Sequence, residues 1–109
     1  MSILTSDTLE SIKQQIAENP LILYMKGTPD KPCCGFSARA VKVLMSCRTK
    51  FAHVDILENN DIRLALPRYS NWPTFPQLYY KSELIGGCDI IEQLYKTGEL
   101  QKKISKTCF

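Results

Sequence analysis

The sequence lacks the long apolar runs and the leader segments that several large classes of protein require. No uninterrupted apolar stretch approaches the roughly 20 residues that cross a bilayer, so no membrane span is expected. Residues 1–7 contain neither a basic segment followed by an apolar core nor an Arg-rich amphipathic presequence. We therefore expect a soluble protein of the cytoplasm.

Clustered positive charge is also scarce. The chain has 14 Lys and Arg residues against 11 Asp and Glu residues, and the one notable basic cluster is Lys102, Lys103 and Lys106. A nucleic-acid-binding surface would need a longer basic stripe or interleaved aromatic residues. We expect no nucleic-acid partner and interpret the cluster as the solvated face of a last helix.

Histidine occurs once, as His53, and no two cysteines have the C-x₂₋₄-C spacing that is typical of zinc sites. A zinc site is therefore not expected. The five cysteines are an odd number with irregular spacing, which argues against a disulfide framework. Reactive or ligating thiols are the better interpretation of residues 33, 34, 47, 88 and 108.

The apolar pattern predicts a single α/β domain over residues 1–109. Asp7, with Glu10 three residues later, predicts the start of a helix over residues 7–18. Residues 21–26 form an apolar run between Pro20 and Gly27, which predicts a strand buried on both faces. The remaining predicted elements are a loop over 27–32, a helix over 34–46, a strand over 51–55, a helix that begins near Asn60 and breaks near Pro67, strands over 74–80 and 83–85, and helices after Gly87 and around Leu100.

This order of elements predicts the topology of the sheet. Strand, helix, strand, helix is a βαβ unit, in which the two strands are parallel and the connection is right-handed. The two later strands are separated only by Lys81-Ser82, a spacing that fits a β-hairpin. We therefore expect a four-stranded mixed sheet flanked by helices.

Cys34 lies where the predicted loop over 27–32 gives way to the predicted helix over 34–46. At this junction Cys34 would meet unpaired backbone N–H groups and the positive end of the helix dipole, which both favour the thiolate. Lys26, at the carboxyl end of the first strand, would project toward the same place. We expect the pKa of Cys34 to lie below that of a free thiol. The alternative is a small buried apolar residue that happens to begin a helix.

Four stretches together resemble a known family. Cys34-Gly35-Phe36-Ser37 follows Met25-Lys26-Gly27-Thr28-Pro29 and precedes Trp72-Pro73-Thr74-Phe75-Pro76-Gln77 and Gly86-Gly87-Cys88-Asp89. In order and spacing these stretches are similar to monothiol glutaredoxins of the CGFS type. The resemblance covers almost the whole chain and implies a thioredoxin-like fold, in agreement with the predicted architecture.

The resemblance also implies a cofactor and partners. In the family, Cys34 of two chains and two glutathione thiols would hold a [2Fe–2S] cluster in a homodimer, which delivers the cluster to acceptor apoproteins. A BolA-family protein is a further partner that the resemblance suggests.

The residue three positions after Cys34 limits its chemistry. A thioredoxin-type dithiol needs a second cysteine there to attack a mixed disulfide, and the sequence has Ser37. Exchange must therefore borrow a thiol from glutathione or elsewhere, whereas a lone thiolate suits a soft metal. A glutathione-dependent disulfide oxidoreductase that acts through Cys34 alone is the alternative function. The Gly27–Lys31 loop, longer than in dithiol members, favours cluster binding over this alternative.

Glutathione carries two carboxylates and an extended backbone, so its site should offer cations, a strand edge and a helix N-terminus. The predicted contacts are Lys26 and Arg63 for the glycyl carboxylate, Phe75 before a cis Pro76 for the cysteinyl part, and Cys88 and Asp89 for the γ-glutamyl part. The ordinary alternatives stay open: a strand-end lysine, a surface arginine and a helix N-terminal acid. Trp72 is expected to be structural rather than a ligand contact.

The cysteine before the motif departs from the family pattern. A disulfide between the sequence neighbours Cys33 and Cys34 would be strained, so we do not expect a stable one. Cys33 is a neutral substitution, an extra thiol that competes for the cluster or glutathione, or an alternative resolving thiol. Cys88 is a further candidate resolver across the groove, and Cys47 is expected to pack inside.

Overall fold

The computed structural model describes residues 6–104, in the order of elements that the sequence predicts. Lys106 and Cys108 lie outside the described residues. Within that range, no helix is both long enough and apolar enough to cross a membrane. The elements are α1 (Ser6–Glu18), β1 (Leu21–Met25), α2 (Gly35–Ser46), β2 (Ala52–Asp55), α3 (Asn60–Ser70), β3 (Gln77–Tyr80), β4 (Glu83–Gly86), α4 (Cys88–Thr97) and α5 (Glu99–Ile104).

The four strands form one mixed sheet, which confirms the prediction, and their order in the sheet is β2-β1-β3-β4. β1 is parallel to β2, across the α2 crossover, and antiparallel to β3. β3 and β4 form the predicted hairpin. Its turn residues Lys81 and Ser82 have φ values of 48° and 70°, and positive φ at both central positions suits the twist of a tight hairpin.

Central strand β1 divides the apolar interior into two clusters, and all five of its residues are buried, as predicted. Leu23 belongs to a cluster that includes residues of α2, α4 and α5. Tyr24, on the opposite face, belongs to a cluster that includes residues of α1 and α3. Because both faces of β1 are covered, its carboxyl end is fixed in place, and Lys26 follows directly after it.

The prediction that α3 breaks near Pro67 is wrong, because the helix continues to Ser70. A proline inside a helix loses one N–H bond and crowds the carbonyl four residues earlier, but Leu66 beside it is fully buried, and this burial favours continuing the helix. Asn71 then ends the helix in the left-handed conformation, with φ of 54°, and the N–H of Trp72 donates to the carbonyl of Pro67. Local proline geometry is thus overridden by packing and by a well-formed C-terminal cap.

β3 is shorter than predicted, since it begins at Gln77 rather than at Thr74. Pro76 has no N–H to donate to a neighbouring strand, and the first residue pair between β1 and β3 is Tyr24 with Gln77. The expected cis peptide bond between Phe75 and Pro76 is confirmed. The segment 71–76 is therefore a connecting loop between α3 and β3.

Candidate functional site

Cys34 is the N-cap residue of α2, one position before the helical turn in which the sequence placed it. Its backbone is extended, with φ of −153° and ψ of 156°, and its Sγ accepts a hydrogen bond of 3.3 Å from the N–H of Ser37. Serine or aspartate usually satisfies this N–H at a helix start. Here a sulfur does so, and an anionic sulfur accepts such a bond better than a neutral one.

The hydroxyl group of Ser37 connects Cys34 to the end of β1. Ser37 is fully buried, its Oγ accepts the N–H of Lys26 at 3.1 Å, and the same oxygen lies 3.3 Å from Cys34 Sγ. Because the Lys26 N–H occupies an acceptor position of the oxygen, the hydroxyl proton is available to the sulfur. Ser37 can therefore donate two hydrogen bonds to a Cys34 thiolate, one from its backbone and one from its side chain.

These contacts determine the ionisation of Cys34. Partial burial favours the neutral thiol, but the side chain and backbone of Ser37, the N–H of Phe36 and the charge of Lys26 act in the other direction. The balance leaves the pKa of Cys34 below its ordinary value, as predicted. The fraction of thiolate near neutral pH is correspondingly larger than for a free cysteine.

A groove of about 560 Å³ lies beside the α2 N-terminus. Its volume falls within the roughly 300–1,000 Å³ of small-ligand sites. Its lining includes every predicted glutathione contact except the thiol itself: Lys26, Arg63, Phe75, Cys88 and Asp89. Cys34 is not a lining residue, but Phe36, two positions later, is. The structure thus brings five sequence-predicted residues together around one space, and Phe36 connects this space to the helix that Cys34 caps.

The charges around this groove are available to a ligand. Within the part of the chain that the structure describes, the side chains of Lys26, Arg63 and Asp89 have no ion pair, since the one salt bridge there joins Arg39 and Glu92. The N-cap of α4, Gly87, makes no side-chain cap, so the first N–H groups of that helix lack this partner. Two cations and a free helix N-terminus match the two carboxylates of glutathione.

Cys88 begins α4 but has a poor environment for a nucleophile. Its side chain is buried, and its Sγ lies 3.8 Å from a carboxylate oxygen of Glu92. Burial raises the pKa of the Cys88 thiol, and the charges of Glu92 and Asp89 add to this rise, although Arg39 opposes it. These surroundings disfavour Cys88 as a resolving thiol.

The loop before the motif is tightly closed around Gly27. Thr28 and Lys31 exchange backbone hydrogen bonds of 3.2 and 3.0 Å, and the N–H of Cys33 donates to the carbonyl of Lys26 at 2.9 Å. Gly27 has φ of 90°, and a Cβ there would lie 2.4 Å from the carbonyl oxygen of Lys31. The exposed thiol of Cys33 contacts the same carbonyl at 3.6 Å, and all four described cysteines are free thiols.

Trp72 combines a structural role with a place in the groove wall. A Cβ built on Gly87 would lie 3.3 Å from the indole Nε1, so the ring packs closely on this glycine. Trp72 nevertheless lines the groove, and its Nε1 is buried with no hydrogen-bond partner among the described residues. The expected structural aromatic residue thus also forms part of the site.

Gln77 is a residue that the sequence reasoning missed. Its side chain is fully buried, and its amide nitrogen donates to the carbonyls of Trp72 at 2.9 Å and Thr74 at 3.3 Å. Its amide oxygen accepts from the hydroxyl of Tyr79 at 3.1 Å. The sequence did contain a signal for this role, which is a single amide side chain at the start of an apolar strand. A polar group buried there requires hydrogen-bond partners.

Comparison with known proteins agrees with this geometry. The glutaredoxin family model matches residues 21–85. The chain is 60% identical over 102 residues to Glutaredoxin 4 of Escherichia coli (strain K12). This alignment covers 94% of this chain and 89% of the relative. The chain is 59% identical over 100 residues to Glutaredoxin 4 of Buchnera aphidicola, covering 92% and 93%.

Solved structures give the same result. The solution structure of reduced poplar apo GrxS14 has a TM-score of 0.79 at 44% identity, covering 97% of this chain and 96% of that one. A buckwheat glutaredoxin–glutathione complex, at 21% identity, has a TM-score of 0.81 over 94% of each chain and shares the fold. The chain therefore belongs to the glutaredoxin family, and Ser37 in the position of a second cysteine makes it a monothiol member with a thioredoxin-like fold.

Proposed function

We propose that this monothiol glutaredoxin binds a [2Fe–2S] cluster together with glutathione in a homodimer and passes it to acceptor apoproteins. The observation that carries the proposal is the geometry at Cys34, a thiol held toward its thiolate form by Ser37 where a dithiol protein would have a second thiol. A [2Fe–2S] cluster takes four ligands, normally thiolates. Two chains and two glutathione thiols would complete that set.

The residues present fit such a cargo. Cys88 is buried beside carboxylates, and Cys33 contacts the carbonyl of Lys31. Cys47 lies at the far end of α2, as its C-cap. Among the described cysteines, Cys34 is therefore the thiol best placed to act as a ligand. Exposed apolar side chains around the groove offer a surface for the second copy of the chain: Phe36, Leu64 and Ile90. Apolar surface next to a thiolate suits a contact that closes only when a cluster joins the two chains.

Glutathione would lie in the groove, with its thiol beside Cys34. Lys26 and Arg63 would bind the glycyl carboxylate, and the backbone at Phe75 would pair with the cysteinyl part. The N-terminus of α4 at Cys88 would bind the γ-glutamyl carboxylate, with Asp89 opposite the ammonium group. The free charges of the lining residues support this assignment.

The proposal also sets a compartment and partners. A ligand set that depends on reduced glutathione requires a reducing compartment, which we propose is the cytoplasm. Acceptor apoproteins, and a BolA-family protein in place of one copy of the chain, are the proposed partners.

Anaerobic reconstitution tests the proposal. With iron, sulfide and glutathione, the wild-type protein should give a brown dimer, and Cys34→Ser should remove its visible absorption. Cys33→Ser is the matched control, because it alters the neighbouring exposed thiol and should keep the colour. A colourless wild-type protein, or equal colour in Cys34→Ser, would contradict the proposal.

A second candidate function is favoured by the lowered pKa of Cys34. The thiolate would attack the glutathionyl sulfur of a mixed disulfide, forming a Cys34–glutathione disulfide and releasing the substrate thiolate. A second glutathione thiolate would then attack the glutathionyl sulfur, giving glutathione disulfide and regenerating Cys34. Robust turnover of a glutathionylated peptide would support this function, and negligible turnover beside normal cluster uptake would reject it.

A further inference from the structure

We propose that Gln77 is a positioning residue of the glutathione groove, because its buried amide holds the loop that forms one wall. Five consecutive residues of that loop, 72–76, line the groove, and Phe75 is one of them. Gln77 itself is not a lining residue. The inference rests on the proposed binding of glutathione in this groove. It states that a side chain behind the wall, and not in it, holds the wall in place.

The hydrogen bonds of Gln77 fix the orientation of its amide. Gln77 and Tyr79 lie two residues apart on β3, so their side chains lie on the same face of the sheet. The Tyr79 hydroxyl donates to Oε1, which leaves Nε2 pointing away with both of its N–H groups. These two groups meet the carbonyls of Trp72 and Thr74. Neither N–H is left unpaired.

Hydrogen bonds hold the loop at both backbone groups of Trp72, its N–H and its carbonyl. The Trp72 N–H donates to the Pro67 carbonyl at 3.1 Å and to the Ser70 hydroxyl at 3.2 Å, and the Trp72 carbonyl accepts from Gln77 at 2.9 Å. The next carbonyl that Gln77 holds, that of Thr74, directly precedes Phe75. Without the amide, the segment between Trp72 and Phe75 would lose the side-chain bonds that join it to β3, and the groove wall would no longer be set before the ligand arrives.

Three variants separate positioning from general stability. Gln77→Leu keeps the size of the side chain and removes all three hydrogen bonds. Gln77→Glu keeps the shape and the acceptor but offers one donor in place of two, because burial favours the neutral carboxyl. Ile12→Val is the matched control, because Ile12 is fully buried on the same side of the sheet, in α1, and is not a lining residue of the groove.

Two measurements are made on each variant. Trp72 is the only tryptophan of the chain, so quenching of its fluorescence by acrylamide reports the exposure of the loop without any ligand. Binding of S-methylglutathione, followed by two-dimensional NMR, reports the groove; this probe keeps both carboxylates but cannot form a disulfide or ligate a cluster. Thermal unfolding of each variant confirms that it is folded.

We expect Gln77→Leu to increase quenching of Trp72 and to weaken S-methylglutathione binding by roughly tenfold, the scale of a lost pair of hydrogen bonds. Gln77→Glu should bind with an affinity between those of Gln77→Leu and the wild type, because a buried carboxyl that faces two carbonyls stays neutral and can donate one bond in place of two. Ile12→Val should match the wild type in both measurements.

Unchanged affinity in folded Gln77→Leu, with or without a change in quenching, would overturn the positioning role, and so would a Gln77→Glu variant that binds no better than Gln77→Leu. Equal quenching in Gln77→Leu and wild type would overturn it as well. If the wild type fails to bind S-methylglutathione, the proposed function fails, and the quenching data still decide whether Gln77 holds the loop.

Discussion

Ser37 does more than leave the chain without a second thiol at this position, because its hydroxyl group also makes hydrogen bonds. Its oxygen accepts the Lys26 N–H, and its proton is then available to the sulfur of Cys34. A cysteine at this position would offer a longer, weaker donor and a competing nucleophile. The same residue that prevents an intramolecular disulfide thus favours the thiolate form of the neighbouring thiol.

Replacing Ser37 should therefore change the titration of Cys34. In Ser37→Ala the side-chain donor is lost, so the pKa of Cys34 should rise. The lowered pKa keeps the wild-type thiol ionised down to a lower pH than a free cysteine, and the variant should lose this advantage. Rates of alkylation by iodoacetamide, measured at Cys34 by mass spectrometry across a pH series, should inflect at higher pH and fall at neutral pH.

Ser46→Ala is the control for this experiment. Ser46 lies on the same helix, is exposed, and donates its hydroxyl to the carbonyl of Lys42. Its variant should reproduce the wild-type curve. Coincident curves for Ser37→Ala and wild type would show that the Ser37 hydroxyl does not act on the sulfur.

The sequence predicted the thiolate at Cys34 and the nearby charge of Lys26, because a helix start and a strand end have known local electrostatics. It predicted that Ser37 excludes a second thiol, but it did not predict the hydrogen-bonding roles of Ser37 and Gln77. Each role depends on a backbone group that only the folded chain brings near, the Lys26 N–H for one and the Trp72 carbonyl for the other. Residue type alone does not reveal such a partner.

At the scale of elements, the loop 27–33 depends on glycine at one position. Gly27 and Gly98 both have positive φ, of 90° and 82°. A Cβ at Gly27 would lie 2.4 Å from the Lys31 carbonyl oxygen and 2.7 Å from the Cys33 nitrogen, whereas a Cβ at Gly98 would meet nothing within 4 Å. Both glycines have a backbone conformation that strains other residues, but only Gly27 also lacks room for a Cβ.

Alanine at these two glycines should have unequal effects. We expect Gly98→Ala to lower the free energy of unfolding by about 1–2 kcal/mol, the strain of a side chain in the left-handed region. Gly27→Ala should cost roughly 2–4 kcal/mol, since the backbone must also move. Urea denaturation measures both, and alkylation of Cys34 should be perturbed only by Gly27→Ala. Equal losses would contradict the close contacts at Gly27.

The order of elements could be predicted from the sequence, whereas two boundaries could not. The apolar period identified α3 and β3, but the local rule for proline ended α3 too early at Pro67, and the predicted β3 began too early because it included Pro76. In α3, burial of Leu66 and the cap at Asn71 outweighed the missing N–H. In β3, pairing with Tyr24 begins only after Pro76, which cannot donate.

At the scale of the whole molecule, the groove is built from segments far apart in the chain. Lys26 follows β1, Arg63 lies on α3, Phe75 lies on the loop before β3, and Cys88 and Asp89 begin α4. Lys26 and Phe75 come together because β1 and β3 are neighbours in the sheet, a strand order that the sequence did not predict. The position of Arg63 needed the helix packing as well, which the sequence alone did not define.

The proposed homodimer can be tested at its apolar rim. Leu64 lines the groove with 45% of its surface exposed, and Met45 is 53% exposed on α2 but does not line the groove. Leu64→Asp should weaken the cluster-loaded dimer by about tenfold or more, since an unpaired charge would be desolvated at the contact. Met45→Asp should leave it unchanged. Light scattering across a dilution series measures the dimer, and equal dissociation of both variants would place the contact elsewhere.

The hairpin turn at Lys81–Ser82 lies at the opposite end of the sheet from the groove. Leu21 pairs with Tyr80 and Tyr24 pairs with Gln77, so the central strand separates the turn from Lys26. Five residues of strand span about 16 Å. Because both turn residues are exposed, a short peptide tag inserted between them would tether the protein to a sensor chip with the groove directed outward. The proposed cluster transfer from a fixed donor to a flowing acceptor could then be timed without the tether obstructing the thiol.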